Sequence, residues 1–187
     1  MDRQIGNTST KDENGKNKKS YVYWSNMLKR CLNKKYQDIQ PTYIGCSVCD
    51  EWITFENFER WFDKNYYSCN EETMCLDKDI LVKGNKTYSP DTCVFVPKFI
   101  NNIFTFNNVN RGNLPMGISI NDDVYQVIFK QFGKSTYIGN FKDKDLAFQA
   151  YKLEKEKYIK LVADKYKDSI PTKLYDAMYK YKIEITD

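Results

Sequence analysis

Residues 116–187 carry the pattern that leaves this chain least freedom: three short alternating apolar–polar runs, then one long run with helical spacing. Ile118 and Ile120, then Tyr125, Val127 and Phe129, then Ile138 and Phe141 each fall on one side of an extended segment. Asp122-Asp123 and Gln131-Phe132-Gly133-Lys134 supply the turns. Asp143 is placed to cap a helix from Lys144 to about Lys167, paced by Leu146, Ala147, Ala150, Tyr151, Glu154, Tyr158 and Leu161. Pro171 opens a final short helix. The pattern predicts a three-stranded antiparallel sheet whose apolar face packs on one long helix. The other face then presents Ser119, Asn121, Gln126, Ile128, Lys130, Ser135 and Tyr137, with Lys134 at the turn.

The first hundred residues follow a different order. Residues 1–20 are rich in Asn, Lys, Ser, Thr and Asp and read as a flexible arm, because they hold too little apolar surface to order themselves. Over 21–104, Tyr21, Trp24, Met27, Leu28 and Cys31 recur at helical spacing beside a basic flank of Lys29, Arg30, Lys34 and Lys35. Pro41 and Gly45 break the chain, and Phe55, Phe58, Trp61 and Phe62 mark a second helix from Thr54, its expected cap, to about Asn65. Extended runs at Met74–Val82 and Thr92–Val96 flank a polar turn at Lys83–Lys86, and Pro97 starts a helix through Phe104. Residues 105–115 read as a linker to the unit at 116–187. The fold class is α+β: N-terminal helices, a ββα hairpin–helix unit, then the sheet with its helix.

Composition narrows the chemistry. The chain has 187 residues, a formal charge of +4 and no histidine, so the commonest general base and a common metal ligand are both absent. No apolar run approaches the roughly 18 residues of a membrane span, and the N-terminus lacks the apolar core of a signal peptide. The expectation is a cytoplasmic protein with no membrane partner. Cys46 and Cys49 form a C-x2-C pair that Cys69 and Cys75 would complete as a zinc site. Five residues separate the second pair, so buried thiols are the favoured reading.

Several segments carry a resemblance. Trp24-Ser25-Asn26-Met27-Leu28-Lys29-Arg30-Cys31, Tyr43-Ile44-Gly45-Cys46-Ser47-Val48-Cys49-Asp50-Glu51-Trp52, Leu76-Asp77-Lys78-Asp79, Tyr88-Ser89-Pro90-Asp91-Thr92-Cys93 and Ile100-Asn101-Asn102 together resemble phage proteins of the HNH endonuclease type. Tyr137-Ile138-Gly139-Asn140-Phe141, leading into Ala147-Phe148-Gln149-Ala150-Tyr151, looks like the DNA-binding domain of plant ethylene-response factors, relatives of which occur in phage homing endonucleases. The resemblance implies a protein that binds double-stranded DNA, in the host cytoplasm if phage-encoded, with homing or nicking endonuclease activity as the enzymatic form. It implies Asp77 as a carboxylate ligand of Mg2+ and Asn101 or Asn102 as the late Asn of the motif. The middle Asn of that pattern falls near Asp91 or Thr92.

Lys78 stands where the histidine base belongs. Two substitutes are available: Asp79, paired with Asp77 at period two as a second metal ligand, or, as the resemblance of the Tyr88-Ser89-Pro90 turn to some HNH-like restriction enzymes implies, a tyrosine nucleophile at Tyr88, or at Tyr66 or Tyr67 upstream. The resemblance also implies that Ser119, Asn121, Gln126, Lys130, Lys134, Ser135 and Tyr137 contact DNA, although the family's arginines and tryptophans are missing from that face. The alternatives are a non-catalytic DNA-binding regulator with a dead HNH centre, or a phage protein that binds a host protein.

Overall fold

A computed structural model describes residues 4–105 and 114–187. The chain divides into two compact units between Lys98 and Phe99. The fold is α+β. Most of the expected linker at 105–115 lies outside the described residues.

The first unit is built on helices α1 (Lys19–Leu32), α2 (Lys34–Ile39) and α3 (Phe55–Asn65). Trp24, Met27, Leu28 and Cys31 are the buried stripe of α1, and Phe55, Phe58 and Phe62 that of α3. The Trp24 indole N–H donates to Trp52 O at 2.7 Å, so the helix is pinned by a buried hydrogen bond as well as by packing. The start of α3 differs from expectation. Thr54 makes no side-chain cap and instead donates to Gln4 Oε1. The orphan N–H groups are met from outside the helix: Phe55 N donates to Gln4 O and Glu56 N to Ile5 O.

Within the segment expected to be an arm, the described residues 4–20 are thus tied to α3. Their polar side chains converge on Glu59, which accepts from Thr8, Lys18 and Ser20. Burial raises the Glu59 pKa, but these donors outweigh it and hold the carboxyl below its ordinary value. Gly6 permits the approach. Its φ is +79°, and a Cβ there would lie 2.6 Å from Glu56 Oε2.

Four short strands complete this unit: β1 (Ser47–Val48), β2 (Met74–Asp77), β3 (Thr87–Tyr88) and β4 (Val94–Pro97). β2 pairs antiparallel with β4, while β1 pairs parallel with β3. The extended run expected at Met74–Val82 therefore stops at Asp77, because the Asp77 side chain turns the chain there. Pro97 ends β4 opposite Met74 rather than opening a helix, and α4 (Lys98–Ile103) follows it.

The second unit holds β5 (Ile118–Asn121), β6 (Val124–Gln131), β7 (Lys134–Phe141), α5 (Lys144–Tyr166) and α6 (Thr172–Lys180). The strands form one antiparallel sheet in the order β5-β6-β7, packed against α5. Asp122 and Asp123 both have positive φ, as do Phe132 and Gly133, so each hairpin closes with two left-handed residues. Asp143 caps α5 by accepting from Leu146 N at 2.9 Å.

The buried face of α5 is Ala147, Phe148, Tyr151, Tyr158, Ile159, Val162, Ala163 and Tyr166. Leu146 and Leu161, expected to set its period, are exposed on the opposite side. Lys155 is buried and donates to Ile103 O at 2.7 Å, meeting a carbonyl at the end of α4. Burial lowers its pKa to about 8. Lys165 stays exposed, with its ammonium 5.3 Å from the centre of the Phe132 ring.

Candidate functional site

Two places take the sequence-derived candidates: the turn after β2 and the outward face of the β5–β7 sheet.

At the turn, Asp77 Oδ1 accepts from Asp79 N at 2.9 Å and Ile80 N at 2.7 Å, an Asx arrangement that ends the strand. Lys78 is buried, and its ammonium donates to Asp79 Oδ2 at 2.8 Å and Asn85 O at 3.1 Å. Burial pulls the Lys78 pKa down, but the Asp79 hydrogen bond and charge outweigh this and hold it above its ordinary value. A lysine kept protonated has no lone pair to accept a proton, so Lys78 does not replace the missing base. Asn85 closes the loop by donating to Lys78 O and Thr87 O. Neither helical nor strand periodicity marks Asn85. Its only sequence signal is its place in the polar Gly84-Asn85 turn.

The other catalytic candidates fare differently. Tyr88 is 2% exposed, and its hydroxyl accepts from Arg30 at 3.5 Å. Burial raises its pKa, and Arg30 only partly offsets this, so the phenol stays protonated and out of reach of a phosphate. The Tyr67 hydroxyl is taken by Phe95 O, and the Tyr66 ring stacks on Phe62. Asn101 and Asn102 fall in the second unit, on α4, while the Asp77 turn belongs to the first.

A divalent ion fits this turn poorly. One Asp77 oxygen is committed to backbone N–H groups, and the ammonium of Lys78 already occupies the positive position beside Asp79. Among the described residues, no group of three or more His, Cys, Asp or Glu is placed to hold a metal. That includes Cys46, Cys49, Cys69 and Cys75, none of which is in a disulfide. Burial raises the thiol pKa of Cys49 and of Cys75, so both rest as neutral thiols.

Asp77 carries a testable electrostatic signature. Burial and then the charge of Asp79 push its pKa up to about 7, against the partial opposition of its two N–H donors and Lys78. The folded state therefore binds this proton more tightly than the unfolded chain, whose Asp titrates near 4. The stabilisation is fully present below about pH 4 and is lost as pH rises through about 7. Asp77→Asn keeps the oxygen acceptor and removes the ionisation. Urea unfolding should show the wild type losing more stability than the variant between pH 5 and pH 8. Parallel loss in both proteins would remove Asp77 as the source.

The sheet offers a different kind of surface. Register places Ser119, Gln126 and Asn140 side by side across three strands, with Ile128 opposite Tyr137 and Lys130 opposite Ser135. Val127 and Phe129 are buried against the helix side, so these alternate positions face outward. Ser119, Asn121, Gln126, Lys130, Ser135 and Tyr137 are all on that face, as alternation predicts. Lys134 is not. It pairs with Gln131 and shares the parity of Phe129, so it lies on the other side at the hairpin end.

A bulge between Val127 and Ile128 explains one surprise. Gly139 pairs with Val127 and Tyr137 with Ile128, so Ile138 is the extra residue. Strict alternation in β7 would carry Tyr137, Gly139 and Phe141 on one face. The bulge resets it, turning Tyr137 and Asn140 outward while Phe141 stays opposite Tyr125. For this reason, alternation within β7 alone does not mark Asn140 as outward. Ile120, expected in the core, shares the helix-side parity but is 57% exposed near the Asp122-Asp123 end of the sheet.

Against protein-family models, curated proteins and solved structures, the chain finds no match. The geometry of the chain's own residues is therefore what bears on function. Among the described residues, no helix is long and apolar enough to cross a membrane.

Proposed function

We propose that the protein binds double-stranded DNA through the outward face of β5–β7, as a reader without cleavage chemistry. The observation that carries this is the cross-strand order of the face: a hydroxyl–amide–amide row, an apolar–aromatic pair, then a lysine–hydroxyl pair. Amides match base edges, lysine suits phosphate or guanine, and apolar groups suit a thymine methyl. None of these seven residues is a carboxylate, so the rows themselves put no negative charge against a phosphate backbone.

Endonuclease activity with Mg2+ rests on the resemblance alone. The Asp77 turn supports a structural role, with Lys78 supplying the charge that an ion would otherwise bring. Incubating the protein with a randomised duplex pool and Mg2+, then sequencing bound molecules and new ends, tests both parts. Enriched sites without new ends are the expected result. Ends at a fixed offset from enriched sites would make it a site-directed nuclease, and no enrichment would shift the reading to a protein partner.

A further inference from the structure

Resting on that reading, we infer that the sheet face selects A·T base pairs in the major groove, with Gln126 and Asn140 reading adenine and Ile128 with Tyr137 reading thymine. Adenine presents an acceptor and a donor side by side, N7 and N6–H2, which one carboxamide complements with its own donor and acceptor. Guanine presents two acceptors, O6 and N7, which call for Arg or Lys. The outward rows hold two carboxamides, on paired positions of β6 and β7, and no arginine. Lys130 is the only cation within them.

The neighbouring pair agrees with this preference. Ile128 and Tyr137 are 40% and 57% exposed and lie beside the amide row, where a thymine methyl gives them an apolar partner that cytosine lacks. Alternate residues along a strand stand about 6.8 Å apart, roughly two base-pair rises of about 3.4 Å. The amide row and the Ile128–Tyr137 pair can therefore address nearby base pairs. Lys130 and Ser135, one step further along, suit a phosphate or a flanking guanine. Asn140 joins the amide row only because the Val127/Ile128 bulge reverses the alternation of β7.

The test is a competition between duplexes of equal length with A·T-rich or G·C-rich centres. It is repeated with 7-deazaadenine, which removes N7, and with deoxyuridine, which removes the thymine methyl. The A·T duplex should bind at least about tenfold more tightly. Each base substitution should erode that preference, and so should Gln126→Ala or Asn140→Ala. Equal affinity for both centres, or a preference for G·C, would overturn the inference and leave DNA binding intact. An A·T preference that survives both base substitutions would also overturn it, since the minor groove or duplex shape would then carry the selection. Failure to bind either duplex would overturn the DNA-binding reading itself.

Discussion

Gly117→Ala should cost the second unit about 3 kcal/mol of unfolding free energy, the sum of a left-handed backbone penalty and an overpacking penalty. Gly117 has φ +73°, and an added Cβ would sit 2.3 Å from Tyr151 Cε2 and 3.0 Å from Ile128 O. Neither neighbour is free to move. Tyr151 is buried with its ring set edge-on to Phe129, and Ile128 N donates to Gly117 O at 2.9 Å, next to the bulge. Gly133→Ala is the control. Its φ is +81° but nothing lies within 4 Å of the added carbon, so only the backbone penalty of about 1–2 kcal/mol applies. Denaturant unfolding of both variants should separate them. Equal losses would show that the Gly117 contact relaxes without cost.

Replacing Lys130 and Tyr137 together by alanine should reduce duplex affinity by roughly 10- to 100-fold, with little change in stability. Lys130 is exposed and Tyr137 is 57% exposed, so truncation leaves no cavity. The loss has two parts. A lysine on phosphate contributes sequence-independent affinity and about one unit of salt slope, while an aromatic packed on a sugar or thymine contributes affinity that salt hardly changes. The double variant should therefore bind more weakly and with a shallower salt dependence. Lys157→Ala is the matched control, since its ammonium is exposed on α5 and pairs with Glu154. Its removal should leave binding unchanged.

Much of the second unit was legible because its signals are local. Three alternating runs, two turns and an Asp cap specify β5–β7 and α5 without any long-range information. What escaped depended on contacts between distant residues. The β7 bulge cannot be read from β7 alone, and it decides that Asn140 faces outward while Ile138 drops out of the pairing. Lys155 looks like any surface lysine until Ile103 O is placed beside its ammonium. Leu146 and Leu161 have core chemistry but fall on the wrong side of α5, which buries Phe148, Ile159 and Val162 instead.

The first unit shows the same division. The buried stripes of α1 and α3 follow from spacing, whereas the cap of α3 comes from Gln4 and Ile5, some fifty residues earlier. Composition marks residues 1–20 as too polar to form a core, which is true. Asn7, Thr8 and Lys18 are held by hydrogen bonds to Glu56 and Glu59 instead. At the Asp77 turn, the sequence places Asp77, Lys78 and Asp79 together but cannot tell a metal cradle from an Asx turn closed by a lysine. The donors to Asp77 Oδ1 and the Asn85 hub favour the turn.

Photocrosslinking locates where DNA contacts the protein. A duplex carrying 5-iododeoxyuridine at thymine positions would be bound, irradiated and digested, and the attached peptide sequenced. Attachment is expected within β6 or β7, at Tyr137 foremost, and that product should be lost in Tyr137→Ala. Attachment confined to the first unit, or to the α5 side of the sheet, would contradict binding through the outward face of β5–β7.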